Sequence, residues 1–200
     1  MSFNLSSFRS FCDGWLEKAD QYQLNSLTDY FDKFFTIYVV FNRLYNEVGK
    51  ILVKRNEPGL KLPRYKYAPL PDKASATDYI VRYYGEDVLK NEMQADRQCS
   101  VSVVQIVKLI EHGSFYFHEN YETGRPNTAK DLELASKAKF FCPKSILSII
   151  YAARCNMLHG SKEFSAVQQE LLVDLIYILE FITKKIYEKI VSDLMLSDDV

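Results

Sequence analysis

The stretch RCNMLHG at 154–160 places Arg154, Asn156 and His159 within one six-residue window, at the end of an otherwise oily segment. An arginine side chain is a permanently charged fork of donors that matches a phosphate and cannot serve as a base. A histidine titrates near neutrality, so it can take a proton from a ribose 2′-hydroxyl or give one to a leaving oxygen. An asparagine can orient either group. Together these residue types suit metal-independent cleavage of RNA, in which the 2′-oxygen attacks the adjacent phosphate and leaves a 2′,3′-cyclic phosphate. The same letters also read without chemistry, as a buried ion and a helix-end histidine before Gly160 that complements the helix macrodipole.

The segment that must position them predicts a helix from about Lys144 to Leu158, with Pro143 suited to its first position and Gly160 stopping it. On a wheel of about 100° per residue, Arg154 falls about 80° from Ile146, inside an arc drawn by Ile146, Leu147, Ile150, Ala153 and Met157. A guanidinium in such surroundings must be paired, lie at a subunit seam or line a cleft, because an isolated buried charge is too costly. His159 lies about 140° round from Arg154, close to the face of Asn156. One helix does not by itself join the arginine to the histidine. The length of the arginine, an unwound helix end, or a second copy across a two-fold axis would do so. Of the other histidines, His112 before Gly113 reads as a helix-end residue and His118, in a polar loop, as solvent-exposed.

Helical periodicity runs through the rest of the chain. Leu27, Phe31, Phe34, Tyr38, Phe41, Tyr45, Val48 and Leu52 draw one apolar stripe along a long helix, with Ser26 and Asp29 as its capping signal. A shorter helix carrying Phe8, Phe11, Trp15 and Leu16 precedes it. Residues 57–72 hold four of the six prolines and predict an extended surface connector. Its Lys61, Arg64 and Lys66 alternate with Tyr65 and Tyr67, a pattern open to a polyanion or simply to solvent. A short helix from Thr77 to Tyr84 ends at Gly85. A stretch from about Asp87 to His112 follows, apolar at Val101, Val104, Ile106, Leu109 and Ile110 and capped by Gly113. Another helix runs from Asn127 or Thr128 through Phe141. Ser161 resembles the N-cap of a last long helix whose face is Phe164, Val167, Leu171, Leu175, Ile178, Ile182, Ile186 and Ile190. No β-sheet pattern stands out, and the fold class is all-α, a bundle whose longest helices are the early one and the last one.

A net charge of −1 excludes a strongly basic nucleic-acid coat, although it says little about one cleft. The four cysteines form no C-x-x-C pair and have no histidine at metal-ligand spacing, so neither a structural zinc nor any other cofactor is expected. Without a disulfide framework, a basic-then-apolar leader or an apolar run of spanning length, the expectation is a cytoplasmic protein with no membrane partner.

The segment IIYAARCNMLHGSKEF resembles the HEPN superfamily of helical nucleotide-binding and RNA-cleaving domains, whose signature is an Arg, four to six residues, then His, late in a helical bundle. FFTIYVVFNRLYNEV at 34–48 is similar to the aromatic-rich first core helix of that family. The resemblance implies a HEPN-like bundle with a long first core helix and a long C-terminal helix, as one domain over 1–200 with residues 55–140 as a family-specific helical and loop insertion. It implies a homodimer in which the Arg–His pairs of both protomers face one cleft. Endoribonuclease activity would follow, in a toxin or antiviral effector held by an antitoxin or other regulatory protein. In that setting Arg154 would bind and polarise the scissile phosphate, His159 would be the general acid or base, and Asn156 the orienting group. Cys155 departs from the family by taking the place directly after the arginine, commonly polar. Ser161 stands where members silenced by nucleotide transfer carry a tyrosine. The alternatives are a HEPN-like module that binds a nucleotide or protein without catalysis, and a structural helical dimer in which Arg154 pairs with a carboxylate.

Overall fold

The computed structural model describes residues 4–62, 69–120, 122–158 and 166–198. Among these residues every regular element is helical, and the fold is all-α. The chain separates into two compact units, Met1–Tyr84 with Leu179–Val200, and Gly85–Ile178. The stretch 55–140 therefore divides at Tyr84, its later part forming the second unit together with residues 141–178.

In the first unit, α1 (Leu5–Asp20) packs on α2 (Leu27–Lys54). α2 starts at Ser26 because a capping box closes there. Ser26 Oγ accepts from the Asp29 N–H at 3.2 Å, and Asp29 Oδ2 accepts from the Ser26 N–H at 3.0 Å. Phe34, Tyr38, Phe41, Tyr45, Val48 and Leu52 are buried as the stripe predicts, whereas Leu27 and Phe31 near the helix start are half-buried. On α1 the buried residues are Phe8, Cys12 and Ala19, and Phe11 is exposed. Gly49 interrupts α2 chemically but not geometrically: a Cβ there would come within 2.5 Å of Leu70 Cδ1, so glycine admits the end of the connector against the helix. After it come α3 (Asp72–Ala74), a π-helical turn (Ser75–Tyr79) and α4 (Ile80–Tyr84), where a single helix from Thr77 was expected. Tyr45 Oη donates to Asp72 at 2.5 Å and Tyr79 Oη to the Lys61 carbonyl at 2.8 Å, tying this segment to α2 and to the connector. Arg64, Tyr65, Lys66 and Tyr67 lie outside the described residues.

In the second unit, Gly85 at φ 99° ends α4 and opens α5 (Glu86–Ala95). Asp96 then caps α6 (Arg97–Glu111), its carboxylate accepting from the Cys99 N–H at 2.7 Å. Ile106 and Ile110 are buried, but Val101 and Val104 stand 44% exposed. The face that α6 turns inward is Cys99, Val103, Ile106, Val107 and Ile110. His112 and Gly113 finish α6 as a Schellman turn, with Gly113 N–H on the Ile110 carbonyl and Ser114 N–H on the Leu109 carbonyl, both at 3.0 Å. In the loop after it, a β-bridge joins Glu119 to Pro126.

α7 (Thr128–Ala138) ends three residues before Phe141, short of the expected boundary. Phe141 adopts φ 58°, the left-handed place usually held by glycine, and its N–H bonds the Ala138 carbonyl at 2.7 Å. α8 (Pro143–Leu158) begins at the proline, as expected. α9 (Ala166–Asp198) supplies residues to each unit, and Leu171, Leu175, Ile178, Ile182, Ile186 and Ile190 are buried. Its expected cap at Ser161, and Phe164, lie outside the described residues.

Candidate functional site

α8 positions Arg154 through its apolar face. Ile146, Leu147, Ile149, Ile150 and Ala153 are buried, and Arg154 beside them is half-buried, with Nη1 3.9 Å from the Cys155 sulfur. Asn156 is two residues on, about 200° round the helix. Its Nδ2 donates to the carbonyl of Phe117 at 2.7 Å, tethering the last turn of α8 to the loop between α6 and α7. The described structure therefore joins Asn156 to residue 117, a bond that by itself does not bring Arg154 to that loop. His159 and Gly160 lie outside the described residues.

The tether leads to a pair that the sequence did not single out. Asp131, in the first turn of α7, is 2% exposed. Its Oδ2 accepts from the Phe117 N–H at 2.8 Å and the His118 N–H at 3.3 Å, and its Oδ1 lies 2.6 Å from His118 Nδ1. Burial alone would push this carboxyl up. The bonds from the His118 ring, then the Phe117 and His118 amides, outweigh that and hold it below the usual aspartate value. A carboxylate can only accept, so His118 Nδ1 carries the hydrogen and Nε2 faces away from the pair. With its side chain 16% exposed, His118 corrects the reading of a solvent-exposed loop residue.

The physical reason lies in α7. Its inward positions are Asp131, Ala135 and Ala138, while Leu132 is exposed, so the helix presents a carboxylate where a hydrophobe would be usual. Such a group survives only if its lone pairs are filled. The available signal was the i, i+4, i+7 spacing of Asp131 with two alanines. An acid in a first helical turn looks instead like an ordinary partner of the helix dipole.

No protein-family model, curated protein or solved structure matches the chain. What chemistry the chain can do rests on its own side chains.

Those side chains narrow the choices. Burial pushes the thiols of Cys12 and Cys99 up to about 12, so neither supplies a thiolate nucleophile near neutral pH. Among the described residues no three His, Cys, Asp or Glu side chains are placed to hold a metal ion. None of the described helices is long and apolar enough to cross a membrane. A partly open apolar pocket of about 10 Å³, lined by side chains such as Val103, Ile149 and Leu175, is too small for a ligand. An open depression of about 470 Å³ runs along Ala95, Arg97, Val101 and Val104 and includes no residue of α8.

Proposed function

We propose that this chain is a HEPN-like, metal-independent endoribonuclease that works as a homodimer in a toxin or antiviral setting. Arg154 binds the scissile phosphate and steadies the charge that grows on its oxygens. His159 takes the proton of the 2′-hydroxyl, and Asn156 helps set the geometry of the helix end. The observation that carries this reading is Arg154 itself, a half-buried cation five residues before His159, in the last turns of a helix whose other residues on that side are apolar. A guanidinium held in such a place is suited to meeting a substrate anion.

A second reading, a module that binds a nucleotide or protein without cleaving RNA, is favoured by one specific contact. Asn156 spends a donor on the Phe117 carbonyl, as a structural tether would.

The test incubates the purified protein with single-stranded RNA in EDTA and maps the product ends. Cyclic-phosphate ends are expected, with Arg154→Ala and His159→Ala each slowing the reaction by a factor of about 100 or more. Full activity in either variant would refute the pair. Tight nucleotide binding without cleavage would establish the second reading. A monomer in light scattering at micromolar concentration would remove the shared cleft.

A further inference from the structure

Between α6 and the start of α9 lies an open depression of about 360 Å³, lined by Gln105, Leu109, Glu170, Val173 and Asp174. All five belong to the unit Gly85–Ile178. We propose that this depression binds a primary alkylammonium group, the end of a free polyamine or of a partner protein's lysine. It includes no residue of the Arg154–His159 motif and stands apart from the ribonuclease reading.

The polar groups of the depression can all accept from such a cation. Glu170 and Asp174 stand four residues apart on α9, so their carboxylates project from one face of that helix. Among the described residues neither makes an ion pair, and exposed Lys108, next to Leu109 on α6, bonds neither. The Gln105 amide adds a carbonyl oxygen. An alkylammonium carries three N–H donors, and three acceptors line the depression.

Water alone ordinarily serves a carboxylate on a helix surface, but Asp174 is half-buried. Burial outweighs the approach of the Ser102 hydroxyl and pushes the Asp174 carboxyl above the ordinary aspartate value. Ser102 has no exposed surface, and its Oγ reaches no partner at hydrogen-bond geometry. A buried hydroxyl without a partner thus backs a partly desolvated carboxylate. That arrangement is costly unless the carboxylate meets a donor from the open side.

The remaining walls decide which kind of cation fits. Leu109 is half-buried and Val173 is 44% exposed, a surface suited to methylenes and not to a hydrated metal ion. Calcium takes about six to eight oxygen ligands, more than two carboxylates and one amide supply. The same two carboxylates repel phosphate, so the depression is no path for RNA. Gln105 also borders the depression that holds Val101 and Val104, about one turn along α6. A lysine on a partner helix, with a hydrophobe three or four residues from it, gains that second contact. A free polyamine does not.

The test follows the amide NMR spectrum of the full isotope-labelled chain at constant ionic strength. One titrant is spermidine; the other is a set of helical peptides in which lysine stands three or four residues from leucine. At least one is expected to shift residues 105–109 and 170–174 saturably. Asp174→Asn should weaken it about tenfold and Glu170→Gln about threefold. Glu170 is exposed, so its variant tests the charge with the core intact. Peptides that bind about tenfold or more tighter than spermidine, with the gain lost in Val104→Ser, assign a partner's lysine. Peptides no tighter than spermidine assign a free polyamine. No saturable shift at these residues with either titrant would overturn the site. So would binding unchanged in both carboxylate variants, or the same shifts from sodium chloride alone.

Discussion

Glu47 on α2 and Asp131 on α7 are carboxylates with almost no exposed surface, 4% and 2%. Their partners come from opposite directions. Glu47 Oε1 meets Arg43 and Lys50, both at 3.0 Å and both on its own helix. Those cations stand at i−4 and i+3, so the pairing is written in local spacing. Asp131 is satisfied by Phe117 and His118, 14 and 13 residues earlier, across a loop. Removing Glu47 leaves two half-exposed or exposed side chains that can turn to water. Removing Asp131 strands backbone donors that cannot. A buried acid with local partners is thus a feature of one helix, whereas a buried acid with distant partners organises the chain around it.

The sharpest way to break this contrast is Asp131→Ala. Unfolding in urea should show a loss of about 3 kcal/mol, because the Phe117 and His118 amides lose their acceptor in a buried place. Hydrogen exchange at residues 117 and 118 should accelerate. A loss no larger than that of a surface substitution would show that water replaces the carboxylate freely, and the contrast would collapse.

Next in size is the acid dependence. The folded-state value of Asp131 lies below its ordinary one, so its contribution is complete above the ordinary aspartate range. It is lost as pH falls through the lower folded-state value. The stability gap between wild type and Asp131→Asn should therefore be constant near neutrality and shrink in strong acid. A gap that instead widened on acidification would reverse the assigned direction.

Asn156→Ala should cost about 1 kcal/mol, the worth of one hydrogen bond, and loosen residues 115–120 in hydrogen exchange without changing α2. The smallest effect is expected from Glu47→Gln, about 1 kcal/mol or less in dilute buffer and less again in 1 M salt, since the cations it pairs with are solvent-screened. If salt erased the Asp131 effect equally, the two carboxylates would not differ as proposed.

Much of the helical frame was legible. The stripe on α2, the Ser26–Asp29 box, the stops at Gly85 and Gly113 and the start at Pro143 are all local devices, closed within four or five residues. The half-burial of Arg154 followed from its angle among neighbours on the same helix. His118 was misread because its environment is supplied from Asp131 and not from its own polar loop. Val101, Val104 and Phe11 lie in solvent for a related reason: a periodic pattern shows that a helix has an apolar face, but several hydrophobes can lie beside that face and remain exposed.

By itself the sequence determined where helices start, stop and turn an oily side, because capping, proline, glycine and periodicity act within a turn or two of the chain. Tertiary structure alone decided which side chains those oily faces meet, that Phe141 would take a glycine's conformation, and that Asp131, His118 and Asn156 would be linked through the backbone of residue 117. Bonds that span 13 to 39 residues leave no mark in local spacing. They form because a buried carboxylate and a buried carbonyl must each find a donor once the helices have closed around them.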